Sequence, residues 1–597
     1  MQILTFFGIA FLASGVAASV VACSSSNTGF SDPVTPPLVD NDAGDGSSAA
    51  TVCQETQSCS RDLKRIVTHH CDGSDTASDA CPPDQGCGTT SCVAACDSAK
   101  LSKGSIGCEF ATLPPDQTSG AQGSCFVAMV ANVWDKEATL SASYGGEPLD
   151  ISASTYYADM QGTKVVYTPV TGPVSPGKVA LVFLSGNDAP NTYDFIGCPS
   201  GIVPALRKDP IAHKTARTKA FQISSDIPVS AYSIWPYGGA VTHTPTATML
   251  LPISSWDTNY VAVSTWATSN PTVQIIGAED GTEVRMRPNV DILGGGGITG
   301  IGEGQTQTWT INKGEVLQIT QKADTSGSPI QANKPIGLFG GSECTFMVTS
   351  ACDVTQQQIA PVSQWGSEYA LVPYRPRTGA GAVGMTSARE TVPWRLVGAV
   401  NGTKLTYDPA PFGGAPETLE AGQVVTFVAN DLMSVRSQDD QHPFYAGMFM
   451  TGGLGIANST NGPAMGDPDF VNAVPSAQFL DRYIFFVDHT YPETTLTFVR
   501  KKTDSGFKPV TLECAGEISD WKPLDVAGDY EFTWVYLTNR GMPQKFPGGT
   551  CGYGRHEANS DGPFAVYVWG TDVYSSYGYA GGTGSRPLSA TKGPPVN

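Results

Sequence analysis

The sequence predicts an all-β protein, built of tandem β-sandwich-like repeats of about 110 residues and preceded by a disulfide-rich N-terminal segment. Three observations carry that expectation. The 597 residues include 66 glycines and 43 prolines but only 15% charged residues, a balance that suits short strands joined by turns and disfavours coiled coils or long helices. One motif, Pro-x3-Trp/Phe-x3-Tyr, recurs with fixed internal spacing at Pro252–Tyr260, Pro361–Tyr369 and Pro475–Tyr483. Nine of the fifteen cysteines fall between Cys53 and Cys125. The length admits several packed domains. The net charge of −20 argues against a general nucleic-acid binder, because neutralising phosphates requires Lys and Arg.

Taken in chain order, Ile3 to Ala22 form an apolar run that closes as Ser19-Val20-Val21-Ala22-Cys23. The run is just long enough to span a bilayer, so a retained anchor or plain secretion are alternatives. The cysteine at its exit favours a third reading. The segment resembles the lipobox of bacterial lipoproteins, in which the signal is cleaved before a cysteine that then carries lipid. That resemblance implies a signal peptide over 1–22, lipidation of Cys23, and a lipid-anchored place at the bacterial cell envelope, on the outer membrane or cell surface. Residues 23–50 hold Pro33, Pro36, Pro37, Gly44 and Gly46 among Ser, Asp and Ala, too little apolar surface to offset chain entropy, and read as a flexible linker. Its Asp40–Gly46 stretch has the carboxylates of a calcium loop but lacks the closing Glu and flanking helices.

Fourteen cysteines follow Cys23, an even number as a full disulfide set requires: Cys53, Cys59, Cys71, Cys81, Cys87, Cys92, Cys96, Cys108, Cys125, Cys198, Cys344, Cys352, Cys514 and Cys551. Pairing Cys344 with Cys352 and Cys514 with Cys551 is economical. Cys198 then takes a partner from the N-terminal cluster, which would staple the cysteine-rich segment, 51–110, to the rest. His69-His70-Cys71 has zinc-binding residue types, but the spacings are irregular and an exported chain is oxidised, so disulfides are expected and no metal. The segment has few large apolar residues and should be held by cross-links, with a turn or two of helix near Ser91–Lys103 placing Cys92 and Cys96 on one face.

Residues 111–590 read as four related units, roughly 111–250, 251–360, 361–474 and 475–590. Asp280-Gly281 and Asn401-Gly402 suggest hairpin turns, since both dipeptides accept positive φ. Gly-x-Val opens a strand at Gly177-Lys178-Val179, Gly314-Glu315-Val316 and Gly422-Gln423-Val424. A proline starts an alternating strand that runs to a glycine pair: Pro228 with Gly238-Gly239, Pro335 with Gly340-Gly341, Pro443 with Gly452-Gly453, and Pro563 with Gly581-Gly582. The aromatics of the Pro-x3-Trp/Phe-x3-Tyr motif are expected as core plugs between units. The period is too long for propeller blades of about 40–50 residues and fits a sandwich of about 100.

Several stretches then carry a resemblance: Ser225-Asp226-Ile227-Pro228-Val229, Trp256-Asp257-Thr258-Asn259-Tyr260, Asn333-Lys334-Pro335-Ile336, Phe470-Val471-Asn472 and Thr490-Tyr491-Pro492-Glu493-Thr494. Over roughly 120–580 the chain resembles bacterial proteins with the domain named after the N-terminal region of the IgG Fc-binding mucin-associated protein. The cysteine-rich head with a lipoprotein signal is similar to members from soil-dwelling predatory bacteria. The resemblance supplies no catalytic residues. Its name implies immunoglobulin binding by a distant animal relative, a ligand not transferred to this chain.

Motifs for chemistry are sparse. No HExxH or G-x-S-x-G occurs; His556-Glu557 is followed by Ala558-Asn559-Ser560. Gly172–Val179 nearly spells a P-loop, but Val179 stands where Ser or Thr would hold Mg²⁺. Gly295-x-Gly297-x2-Gly300 matches a dinucleotide fingerprint without βαβ context and reads as a flexible loop. Asp439-Asp440-Gln441-His442 is the one short acid–histidine cluster and reads as a turn. Of the C-terminal aromatics, Tyr574, Tyr577 and Tyr579 lie beyond the alternating strand that contains Phe564 and are the ligand-binding candidates. The expected function is that of a cell-surface, lipid-anchored binding or adhesion protein without catalytic activity or cofactor, its partner a surface protein or glycan. The alternatives are an extracellular polysaccharide or peptidoglycan hydrolase and a structural envelope component.

Overall fold

A computed structural model of the chain describes residues 53–117, 120–188, 194–242, 244–265, 269–347, 352–377, 390–410, 414–453, 465–584 and 588–596. The leader and Cys23 lie outside the described residues. Within Gln54–Asn597 nearly every element is a strand; the α-helix among the described residues is Ala95–Ser102. No helix there is long and apolar enough to cross a membrane.

The sandwich-like repeats share one design, seen in the second. Pro271–Gly277 pairs with Glu315–Thr320 on one side and with the C-terminal half of the 17-residue strand Pro329–Thr345 on the other. The N-terminal half of that strand pairs with Thr282–Met286 and Asp257–Val261. One long strand thus serves two layers, one of four strands and one of five, the fifth being Ala216–Lys219 paired with Glu315–Thr320. Phe221–Trp235 and Gly554–Asp572 play the same part in the first and fourth repeats. In the third the long strand is split into Met433–Ser437 and Phe444–Met450, and the layers are two separate four-stranded sheets.

This design corrects two readings of the sequence. Asp280-Gly281 and Asn401-Gly402 do not close hairpins: Pro271–Gly277 and Thr282–Met286 follow one another along the same long strand, and Val392–Gly398 and Thr403–Asp408 lie in different sheets. The turn carries the chain from one layer to the other. Nor do the prolines all begin strands. Pro228, Pro335 and Pro563 sit inside their long strands, between the residues that pair with the outer layer and those that pair with the inner one. A missing N–H costs no ladder bond where the partner changes. Pro443 immediately precedes its strand.

Each aromatic motif begins as a short 3-10 turn, Ile253–Ser255, Val362–Gln364 or Ser476–Gln478. Trp256, Trp365 and Phe479 are buried, as are Tyr260, Tyr369 and Tyr483. The tyrosine hydroxyl makes the same two bonds each time. It donates to the carbonyl of the residue after the strand proline, Ile336 (2.7 Å), Phe444 (2.6 Å) or Phe564. It accepts from the backbone N–H three residues earlier, Asp257 (3.4 Å), Gly366 (3.0 Å) or Leu480 (2.9 Å). The fixed spacing therefore records a hydrogen-bonded clip between the entry turn and the long strand, worth about 1 kcal/mol per bond.

The last strands of the repeats, Thr246–Leu250, Asp353–Ile359, Asp469–Asn472 and Ser575–Ala580, pack in cyclic order, the fourth returning to the first. Polar side chains stitch them. Thr246 and Thr248 hydroxyls accept from the N–H groups of Gln356 and Gln358 at 3.1 and 3.0 Å, and Asn472 donates to the Gln358 carbonyl at 2.8 Å. The tail closes the arrangement: the Thr583 carbonyl accepts from Ser105 N–H, Gly584 N–H donates to Gln478, and Leu588 N–H donates to Ser363.

In the head, Cys59–Cys87, Cys81–Cys92 and Cys96–Cys108 are bonded, and Cys53 and Cys71 are in disulfides too. Cys92 lies on the strand Cys92–Ala94, before the helix, so it does not share a helical face with Cys96. Cys344–Cys352 and Cys514–Cys551 are formed. Cys198 pairs with Cys125, which stands at the entry to the strand Phe126–Ala131 of the first repeat, so this bridge staples that repeat to itself. The head is joined instead by the strand Ile106–Thr112, which carries Cys108 and pairs with Phe221–Trp235. The Gly294–Gly304 stretch is a small bridged turn, with Ile292 facing Ile301 and Gly295 facing Ile298, rather than a loose loop.

Candidate binding cleft

The residues proposed from the sequence as ligand contacts do not form a surface. Tyr577 and Tyr579 are fully buried, because Ser575–Ala580 is not a tail beyond the sheet but one of the four closing strands that pack against one another in cyclic order. Tyr577 accepts from Asp488 N–H at 3.0 Å, and Tyr579 donates to the Phe486 carbonyl. Tyr574 sits in the turn before that strand with φ of 56° and is only partly exposed. Asp439 and His442 form a local turn, joined by a 2.7 Å contact. His69 and His70 contact Asp75 and Glu55, each at 2.7 Å, with Cys71 in a disulfide.

A cleft of about 400 Å³ opens where the first and fourth repeats meet, lined by Trp134, Asp135, Pro176, Gly177, Lys178, Arg482, Arg555 and Glu557. A second hollow of about 170 Å³ adjoins it through Lys178 and Arg555 and adds Tyr157, Asp159, Phe486 and Tyr553. The fourth repeat supplies the arginines from two paired strands, Leu480–Val487 and Gly554–Asp572. Arg555 and Glu557, two apart on one strand, point to the same side.

Their bonds tie the repeats together. Arg482 donates to Glu557 at 2.9 Å and to the Val133 carbonyl at 3.1 Å; Arg555 donates to the Gly177 carbonyl at 2.7 Å and contacts Glu557. Burial alone would raise the Glu557 pKa, but the two guanidinium groups outweigh it and hold the carboxyl below the usual range. Asp135 is paired with Lys64 at 2.6 Å. Lys178 is exposed, and among the described residues its ammonium has no partner. Three cations and two carboxylates therefore line the cleft; with Asp135 paired to Lys64 and Glu557 shared by the two arginines, the lining keeps a small positive excess in a chain of net charge −20. Such a site can hold an anionic group. Trp134 is buried and donates to the Pro83 carbonyl at 2.9 Å, so it shapes the wall rather than offering a stacking face.

Sequence reading missed this site because its parts lie some 380 residues apart. Two signals were available. Lys178 is the cation among the middle residues of the three Gly-x-Val elements, and Arg555 immediately precedes His556-Glu557, the pair that falls short of HExxH.

Glu513, Cys514 and His556 are the one group of metal-ligating types gathered closely among the described residues. Cys514 is bonded to Cys551, which removes the thiolate a metal or a nucleophilic mechanism would need. His556 is buried and contacts Glu513 at 3.0 Å and the Gly552 carbonyl at 2.8 Å, a structural role.

The family model described as IgGFc binding protein matches residues 246–570. No curated protein and no solved structure matches the chain. The matched stretch runs from the closing strand of the first repeat into the long strand of the fourth, so it includes Arg482, Arg555 and Glu557 and leaves Lys178 outside.

Proposed function

Because the chain belongs to the IgGFc binding protein family, we propose that it is a non-catalytic binding protein, held at a bacterial cell surface by lipid on Cys23, that captures an anionic group on a surface protein or glycan. The observation that carries the ligand chemistry is the clustering of Lys178, Arg482 and Arg555 at one cleft of an acidic protein. Electrostatic focusing by a cleft favours a ligand of opposite sign against the repulsion of the remaining surface. Immobilised protein should retain uronate- or sulfate-bearing glycans or acidic proteins, with retention weakening as salt rises. Lys178→Glu should weaken it about tenfold, equivalent to about 1.4 kcal/mol, without lowering stability, since the lysine is exposed. Immunoglobulin Fc belongs on the same array. Unchanged retention in the variant would reject this cleft, and turnover of a retained ligand would reject the non-catalytic reading.

The anchor is tested separately. Intact-mass spectrometry of membrane-extracted protein should find an acylated Cys23 as the first residue, since several acyl chains hold durably where one holds weakly. An unmodified Cys23, or cleavage elsewhere, would remove the anchor from the proposal.

A further inference from the structure

Two of the closing strands begin with an aspartate, Asp353–Ile359 and Asp469–Asn472, and Asp467 stands two residues before the second. The hydrogen bond from Asn472 to the Gln358 carbonyl ties these neighbouring strands together further along. Their beginnings therefore lie at one end of the central group of strands. All three aspartates are fully buried, at 0% exposure.

The surroundings of Asp353 and Asp469 do not neutralise them. Both carboxylate oxygens of Asp353 lack a hydrogen-bond partner, as does Oδ2 of Asp469. Oδ1 of Asp469 accepts from Phe470 N–H at 2.7 Å, and Oδ1 of Asp467 accepts from Gly453 N–H at 2.8 Å. Among the described residues no Lys, Arg or His pairs with Asp353 or Asp469. The charged groups acting on Asp353 are Asp467, Asp469 and Asp194, all of its own sign. Burying one unpaired carboxylate is unfavourable, and grouping it with others of like charge adds to that. Such a group persists either protonated or paired with a cation.

We propose that Asp353 and Asp469, together with Asp467, bind a hard divalent cation of the Ca²⁺ class at this end of the central strands. The donor set is oxygen only, with no thiolate or imidazole, which selects calcium over zinc. The flexible six- to eight-fold coordination of calcium accommodates carboxylates supplemented by backbone carbonyls or water. The oxygens of the three residues do not all lie within 4.8 Å of one another, so binding draws them together. Burial, and then the neighbouring acids, push Asp353 well above the usual carboxylate range, and burial does the same for Asp469. Protons are therefore the competitor.

The test uses the full chain, stripped with EDTA and titrated with CaCl₂ at pH 7. Calorimetry should detect a site that includes these residues, and the unfolding temperature should rise by several degrees over the EDTA control. The gain should shrink at pH 5, where protons compete. Asp353→Asn should lower calcium affinity at least tenfold while raising stability in EDTA, because the amide carries no charge. Should that variant not fold, Asp469→Asn is read the same way, and the wild-type titration stands by itself. Absence of calcium heat and of a temperature shift at pH 7 overturns the proposal. So does an affinity undiminished in the variant. Stability that rises on acidification with no response to calcium assigns the carboxylates to protons instead.

Discussion

Replacing Gly340 with alanine should destabilise the protein by about 3 kcal/mol or more, the upper end of what overpacking a core costs. A Cβ at this position would stand 1.6 Å from the Val263 carbonyl oxygen and 2.8 Å from its carbonyl carbon. At Gly341 the corresponding contact is 1.8 Å from the Thr355 carbonyl oxygen. Both obstacles are backbone in packed strands or their immediate extensions, so no side-chain rotation relieves them. The effect is one of space, not of conformation, since Gly340 does not need positive φ. Gly281 provides the control. It has φ of 63° and open space around it, so Gly281→Ala should cost only the left-handed penalty, about 1–2 kcal/mol. Urea denaturation of the two variants beside the wild type makes the comparison. A Gly340→Ala cost no larger than that of Gly281→Ala would show that the strands can part at that point.

The same glycine pair shows what the sequence can and cannot convey. Its recurrence after each strand proline is visible in the letters, but its reason differs between repeats: Gly238 holds a positive φ of 77°, whereas Gly340 admits a neighbouring carbonyl. The Pro-x3-Trp/Phe-x3-Tyr spacing was legible because one local bond and one recurring long-range bond fix it. The local bridge Cys344–Cys352 was legible because an eight-residue separation leaves little choice of partner. The central strands were not legible. Thr355-Gln356-Gln357-Gln358 and Ser575-Ser576-Tyr577 look like solvent-facing sequence, yet they are buried, because polar groups of these stretches find partners across repeats. Periodicity reports burial by apolar contact and is silent about burial by hydrogen bonding. The cleft was hidden for a related reason. Its cations come from opposite ends of the chain and meet only because the fourth repeat closes on the first.

The largest loss of charge compensation should come from Glu390→Gln. Arg377 and Glu390 form an ion pair with side chains only 6% and 3% exposed. Burial alone would raise the Glu390 pKa, but the charge and hydrogen bonds of Arg377, with the Tyr374 hydroxyl at 2.6 Å, outweigh it and hold the carboxyl below its usual range. Removing that charge leaves a guanidinium buried without its counterion, which costs about 3–5 kcal/mol in such sites. Glutamine preserves volume and one acceptor oxygen, so the loss reports charge rather than a cavity. Arg377 also donates to the carbonyls of Thr451 at 2.8 Å and Met465 at 3.0 Å, which confine the unpaired cation where it is. The pair's stabilisation has a defined pH sign. The folded-state pKa of Glu390 is depressed, so its contribution is complete above the unfolded value of about 4.3 and disappears as pH falls through the folded value. The difference in unfolding free energy between wild type and variant should therefore be widest near neutrality and narrow in acid. Replacing both partners, Arg377→Met with Glu390→Leu, should recover part of the loss, short of wild type because two carbonyls lose their donor. A Glu390→Gln cost below about 1 kcal/mol at pH 7 would mean that water reaches the guanidinium and that the pair is not buried in solution.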